Sequence, residues 1–401
     1  RINMNQPLED IRILDLTQVQ SGPSCTQLLA WLGADVIKIE EPVLGDRSRN
    51  KTSDLTEDDS FDFLLFNSNK KSVTLDIKSA MGHKLLEKLV TVSDVIVENF
   101  ASGYMEGLNY GYEDLRVINN KIIYASIKGY GSYGPYSTFK SYEHIAQAMG
   151  GAISINGEKA MPPLGIPLGI ADSGSGLHCA IGILAALYRR SKTGLGDFVE
   201  VSMQDSIVNL MRARLQETLV SNNTVVERRG NRTWGTPSRI FPCSPGGPND
   251  YVTIYIGGEA WDSLLAVIGH SHLIGDQGYA TIEARNENAN KIEDMITSWT
   301  STLTKFEVMT ILNDIGVPCG AVLSTNDVIN NEHLRERGMI FEMSDDKRGS
   351  YLFIGCPIKM KSSAVEFNPP PSLGQHTEHI LTNVLGVNVD DLGSLEDQNV
   401  I

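Results

Sequence analysis

The sequence is poor in cysteine, with five residues in 401, at positions 25, 179, 243, 319 and 356, and no CxxC pair. That scatter argues against a zinc ribbon or a disulfide framework and points to a reducing cytosol. Positive charge is also scarce. Thirty-four Lys and Arg stand against 49 Asp and Glu, a formal net charge of -15. So acidic a body disfavours nucleic acid and anionic membranes as partners. A small anionic ligand stays possible, because local lysines and helix N-termini can still hold phosphate. No run of about 18 uncharged apolar residues occurs, so no membrane span is expected. The opening RINMNQPLED lacks the charged, apolar and small-residue zones of a signal peptide, and a cytoplasmic protein is expected. Glycine is missing where a dinucleotide site would need it. The first strand-to-helix turn, TQVQSGPSC (17–25), has one glycine in place of GxGxxG. Its backbone cannot approach a pyrophosphate in the usual way, which argues against NAD even though Glu40 ends the second strand where a ribose-binding acid would sit.

The first half alternates two kinds of pattern. Apolar strand-like runs stand at 11–16, 34–40, 71–77, 94–100, 121–131 and 196–203. Between them lie helical patterns, GPSCTQLLAWLG (22–33) with Pro23 near its start and Gly33 at its end, AMGHKLLEKLV, 142–152 and 173–190. Strands alternating with helices predict an α/β fold with a parallel sheet covered on both faces. A long helix is expected over 204–220. From about 222 the texture becomes loop-rich, and YVTIYIGG (251–258), VPCGAVLS (317–324) and YLFIGCPIKM (351–360) read as later strands. The expected organisation is a large lobe over 1–221, a smaller α/β lobe over 222–325, and a segment, 326–401, that returns to the first lobe.

Several short stretches could carry chemistry. In LGIADSGSG (168–176) an apolar run ends in Asp172, followed by small residues and a long helix. Asp172 could cap that helix. The same carboxylate, flanked by glycines that let a ligand approach, is also a usable nucleophile, and spacing alone leaves both readings open. FNSNKKSVTLD (66–76) offers two amides and two lysines that could hold phosphate or adenine, or form a solvated turn. VENF puts Glu98 and Asn99 at a strand's C-terminal end, the ligand edge of an α/β sheet. FKSYEHIAQAMGG (139–151) groups Lys140, Tyr142, Glu143 and His144 at a helix start. YIGGEAW (255–261) puts two glycines after a strand, where their N–H groups could bind an oxyanion or simply make a turn. His270 and His272 form an HxH pair with no evident third ligand, so no metal is expected.

Taken in order, ILDLTQVQSGPSCTQLLAWLGADVIKIE, FNSNKKSVTLDIKS, DVIVENF, IIYASIKGYGSYGPY, YEHIAQAMGG, GIADSGSGLHCAIGILAALYRRSKTGLG and PPPSLGQHTEHIL resemble the family III (CaiB/BaiF type) CoA-transferases. The likeness spans essentially the whole chain. The residues around Gln20, Lys140, Tyr142 and Asp172 are most similar to formyl-CoA transferase and related oxalate-using members. The resemblance implies a Rossmann-like large lobe that binds CoA as a substrate, no permanently bound cofactor, and an interlocked homodimer of ring-shaped chains. It implies an acyl-CoA donor and a small carboxylate acceptor, formyl-CoA and oxalate or a related acetyl- or succinyl-CoA pair, with Asp172 as the nucleophile that passes through an aspartyl anhydride and an aspartyl-CoA thioester.

By the same resemblance, Gln20 lies over the acyl region, and Tyr142 and Glu143 stand beside the reacting carbonyl. Gly257 and Gly258 belong to a glycine loop that closes over the aspartate. Val19, Lys71, Asn99, Met105 and Lys140 fall where CoA is held. Two positions depart from the oxalate-using pattern: Gly107 and Glu41 stand where arginines are expected, so Lys71 or Arg47 would have to hold the adenine end. The family's racemase branch, which moves an α-proton with a His and an Asp, is the alternative. Its histidine position is Tyr142 here, and His144, two residues on, is turned about 200° away on a helix.

Overall fold

The structure is a computed structural model that describes residues 6–49, 59–221, 224–232, 240–257 and 260–401. The apolar runs of the first half become β1 (Arg12–Asp15), β2 (Asp35–Glu40), β3 (Lys71–Thr74), β4 (Val95–Glu98), β5 (Ile123–Lys128) and β6 (Asp197–Ser202). Between β1 and β5 run α1 (Ser21–Trp31), α2 (Phe61–Asn67), α3 (Ala80–Thr91), α4 (Tyr104–Gly107) and α5 (Tyr112–Ile118). Next come α6 (Glu143–Met149) and α7 (Asp172–Thr193), with α8 (Met203–Leu210) and α9 (Arg212–Val220) after β6. The helix expected over 204–220 is thus two helices, parted at Met211.

The six strands pair parallel throughout, in the order β3-β2-β1-β4-β5-β6. This is the doubly wound order, reached without the glycine fingerprint. Alternate strand residues feed two cores. Ile13, Val36, Val95, Val97, Ile123 and Ala125 point to one face and pack under Cys25 and Leu29 of α1 and Cys179 and Ile183 of α7. Leu14, Ile37, Ile96 and Tyr124 point to the other, under Leu85, Leu86 and Leu89 of α3. Burial on both faces explains why these strands read as continuous apolar runs. Where α1 crosses α7 the helices touch through backbone. A Cβ on Gly176 would lie 2.1 Å from Ser24 Oγ and 2.7 Å from the Ser21 carbonyl oxygen, so only glycine fits there.

Packing divides the chain into two units. The first comprises Arg1–Ser154, Gly165–Val226 and Gly338–Ile401, the second Ile155–Leu164 and Glu227–Arg337. The second unit therefore includes residues 155–164 and extends to 337, beyond the 222–325 expected from texture. Its antiparallel sheet, β7 (Ile240–Pro242), β8 (Tyr251–Ile254) and β9 (Cys319–Ala321), packs helices around Phe241, Val252, Trp261, Leu264 and Ile292. Within the first unit the C-terminal segment lays Ile380, Leu381, Leu392 and Leu395 into the α3 core. No helix among the described residues is long and apolar enough to cross a membrane.

Candidate active site

In a doubly wound sheet the ligand crevice opens where the strand order reverses, outside the C-terminal ends of the strands. Here that point lies between β1 and β4, which leave the sheet through Thr17–Gln20 and through Asn99. Asn99 ties the two exits together. Its Oδ1 accepts the Gln18 N–H at 2.9 Å, and its Nδ2 donates to the Gln18 carbonyl at 2.9 Å and to Ser21 Oγ at 3.0 Å. Val19 follows at φ 67°, the left-handed region that a β-branched residue rarely adopts. Its N–H donates to Asp46 Oδ1 at 3.1 Å. The turn delivers Gln20, whose Nε2 donates to Ser173 Oγ at 3.2 Å. The fit is close: a Cβ on Gly169 would come within 2.0 Å of that nitrogen.

Asp172 is half-buried and is the first residue of α7, after Ala171 at the cap position. No side-chain cap comes from the cap position itself. The capping role suggested for Asp172 falls instead to Glu143, from the start of α6. One Glu143 oxygen accepts the Asp172 N–H at 2.7 Å, and both accept the Ala171 N–H, at 2.9 and 3.1 Å. A carboxylate placed there satisfies two orphan donors and favours the helix dipole. Glu143 is itself held by Gln147, which is fully buried and donates to it at 2.7 Å. The Gln147 amide also grips the segment leading to Asp172, donating to the Ile166 carbonyl at 2.9 Å and accepting the Ile166 N–H at 3.0 Å. These N–H groups are thus already taken, and so is Ser173 N–H, which donates to the Gly169 carbonyl.

Gln20, Glu143 and Asp172 therefore meet, and the Val19 and Asn99 turn supports them from the switch point. Tyr142 occupies the cap position of α6 and, like Lys140, is exposed beside Glu143. His144 lies next to Gly165, where a Cβ would come within 2.9 Å of its ring. Two expected CoA contacts pack within the fold. The Met105 side chain is fully buried in the α3 core. Lys71 runs back to Asp35, 2.6 Å away at the N-terminal end of β2, the opposite end of the sheet from Asn99 and Gln20. Gly257 follows β8 in the second unit, and Gly258 lies outside the described residues.

The FNSNKK stretch is structural. Lys70 is buried and bonds Asp15, Asn67 and the Pro23 carbonyl at 2.9, 2.9 and 3.2 Å. Burial draws its pKa down to about 8, outweighing the pull of Asp15. Burial would raise the Asp15 carboxyl, but Lys70 and Lys38 hold it far below the usual carboxylate range. Glu40, the would-be ribose acid, is consumed as well. Arg49 clasps both its oxygens at 2.7 Å, and Ser72 Oγ donates to it at 2.6 Å. Lys38, Asp46 and Arg49 are not legible in the sequence, because no local pattern marks a buried ion. Arg232 pairs with Asn290 and Glu293 inside the second unit. Among the described residues no group of three or more His, Cys, Asp or Glu could hold a metal.

Comparison with known proteins gives this site a family. The chain is 42% identical over 407 residues to a formyl-CoA:oxalate CoA-transferase of Streptomyces coelicolor, covering 98% of this chain and 99% of that one. It is 41% identical to a protein of the same name from Bradyrhizobium, with 99% and 98% covered. Among solved structures, a CaiB/BaiF family protein from Brucella suis superposes with a TM-score of 0.84 at 29% identity, over 95% of this chain and all of that one. Rv3272 from M. tuberculosis gives 0.80 at 30%, over 93% and 98%. The family model for CoA-transferase family III matches residues 8–377. With a doubly wound sheet that lacks the dinucleotide fingerprint and a carboxylate held at a helix mouth beside the switch point, the chain belongs to CoA-transferase family III.

Proposed function

We propose that this enzyme moves CoA between short carboxylic acids, with formyl-CoA as donor and oxalate as acceptor, through covalent intermediates on Asp172. The observation that carries the mechanism is the support around one carboxylate. Glu143 holds the backbone of Asp172, and Gln20 bonds the next side chain, Ser173. A group fixed from two other elements is pre-organised for attack. The names of relatives at about 40% identity support the choice of acids.

The chemistry divides a difficult exchange into four acyl transfers. The Asp172 carboxylate attacks the formyl-CoA carbonyl and expels CoA thiolate, leaving an aspartyl-formyl mixed anhydride. The thiolate attacks the aspartyl carbonyl and expels formate, giving an aspartyl-CoA thioester. Oxalate then attacks that thioester, releasing thiolate and forming an aspartyl-oxalyl anhydride. Attack of the thiolate on the oxalyl carbonyl yields oxalyl-CoA and restores the carboxylate. Each step passes through an oxyanion that needs donors. The Ala171 and Asp172 N–H groups are occupied by Glu143, so the donors must come from elsewhere. Gln20 is assigned that part, with Tyr142 beside the carbonyl and Lys140, Val19 and Asn99 toward CoA.

The test is intact-protein mass spectrometry after mixing with formyl-CoA, with and without hydroxylamine or borohydride, followed by peptide mapping. A CoA-sized or trapped adduct on the Asp172 peptide is expected. If no adduct forms with any short acyl-CoA, and solvent deuterium washes into the α-position of a 2-methylacyl-CoA, the racemase reading replaces it.

The working enzyme is assigned as a homodimer of interlocked chains in the cytoplasm. What supports self-association is an apolar stripe along α7, where Leu177, Ile181 and Tyr188 are 50, 65 and 67% exposed, with Leu184 between them. Stripes of this kind mark interfaces. Light scattering should return twice the 43.9 kDa chain mass, and a monomer mass would overturn the assignment. The five free cysteines fit a reducing compartment.

A further inference from the structure

We propose that Asp46 is a positioning residue for this reaction: it holds Val19 in its left-handed turn and thereby aims Gln20 at the mouth of α7. The assignment rests on the transfer mechanism above and adds a residue that does not touch the reacting atoms. Val19 at φ 67° is strained, since its branched Cβ crowds the backbone there. Such strain persists only where the surroundings over-determine it.

The surroundings here are one buried ion pair. Asp46 Oδ1 accepts the Val19 N–H at 3.1 Å, while Oδ2 lies 2.8 Å from Lys38 Nζ, both side chains being fully buried. The same Lys38 ammonium donates to the Thr17 carbonyl at 2.7 Å. The pair thus grips the turn on both sides of Gln18, which Asn99 holds in turn. Asp46 is braced before it acts. Its Oδ1 accepts Ser48 N–H and Oγ, each at 2.8 Å, and its own N–H donates to Glu40 at 3.0 Å. Without the Asp46 oxygen, Val19 can relax to negative φ. That rotates the next peptide and carries Gln20 away from Ser173.

The experiment compares Asp46→Ala, Val19→Gly and the double variant, with kcat and KM for formyl-CoA measured per folded site. Asp46→Ala is expected to lower kcat by about 10- to 100-fold, the scale of a misplaced catalytic group. Adding Val19→Gly should raise kcat at least about threefold above that of Asp46→Ala, because glycine enters the left-handed region unaided. A merely structural role would lower the yield or the melting temperature, leave kcat per folded site unchanged, and gain nothing from glycine.

If the unpaired Lys38 prevents folding, Lys38→Met/Asp46→Ala removes both charges and serves in its place. A crystal structure of the same variant reads the positioning independently of activity. Loss of the Gln20–Ser173 bond is expected, and a retained bond with Val19 still at positive φ overturns the proposal. A wild-type enzyme inactive with every donor would count against the transfer mechanism, and the crystal structure would still decide Asp46.

Discussion

Asp172→Ala is expected to abolish the proposed transfer of CoA from formyl-CoA to oxalate, lowering kcat/KM by about 10⁴-fold or more, as loss of a covalent nucleophile does. Binding of CoA and the melting temperature change little. The reason lies in the division of labour at the helix mouth. Glu143 takes the Ala171 and Asp172 N–H groups, so these two donors keep their partner when the Asp172 side chain is removed. An acidic side chain in the first turn contributes about 0.3–1 kcal/mol through the helix dipole. Asp172→Asn separates the two readings further. It keeps the size and polarity of the side chain and removes the charge needed for attack. Steady-state assays and isothermal titration with CoA check both variants, and turnover above about 1% of wild type in either would end the nucleophile assignment.

Arg49→Met destabilises the first unit by about 3–5 kcal/mol, the usual result of removing one member of a buried ion pair. Arg49 reaches Glu40 through Nε and Nη2, and Asp59 through Nη1, all at 2.7 Å, and stacks on Phe63 with its guanidinium carbon 3.6 Å from the ring centre. Asp59 continues the chain of charges to Arg348 in the C-terminal segment. Methionine fills the space but leaves Glu40 and Asp59 buried with less compensation. Urea unfolding checks the loss, and a change below about 1 kcal/mol would mean that the cluster is dispensable.

Buried and half-buried carboxylates of the first unit fix the acid limit of the fold. Burial would raise Glu40, Asp46 and Asp35, but Arg49, Lys38 and the Lys71–Arg12 pair respectively draw each below its ordinary value. Between that ordinary range, near pH 4, and the lower folded values, the unfolded chain binds more protons than the folded one. Stability supplied by these groups is therefore complete above about pH 5 and falls as pH drops through the window. Glu98 runs the other way: burial raises it despite Lys128, so its contribution weakens as pH rises past its unfolded value. Melting temperatures followed from pH 7 to 3 should fall for the wild type. In Arg49→Met the fall should be shallower, since Glu40 is then no longer held ionised by its main partner.

Much of this molecule is legible before it is folded. The strand runs, the helix patterns between them and the missing glycine fingerprint are local features, set by side chains a few residues apart, and they lead to a doubly wound sheet that lacks that fingerprint. Asp172 stands out for the same reason, as an acid between an apolar run and a helix. The candidate contacts fared unevenly because contact is not local. Lys70 and Lys71 look alike in sequence, yet one is buried on Asp15 and the other reaches Asp35. Met105 sits in a segment that could face a ligand, and the packing of α3 drew it inward.

The sequence by itself determined the periodicities, and with them the order of elements, the buried faces and the place of Asp172 at the head of a helix. Only the tertiary structure decided what surrounds that carboxylate. Glu143 arrives from 29 residues upstream, Asp46 meets Val19 across 27 residues, and Arg348 closes on Asp59 across 289. A charge in a sequence carries no record of its partner, because pairing depends on where the chain returns. Burial makes the return consequential: inside the sheet's edge, a charge must find its opposite or the fold does not hold.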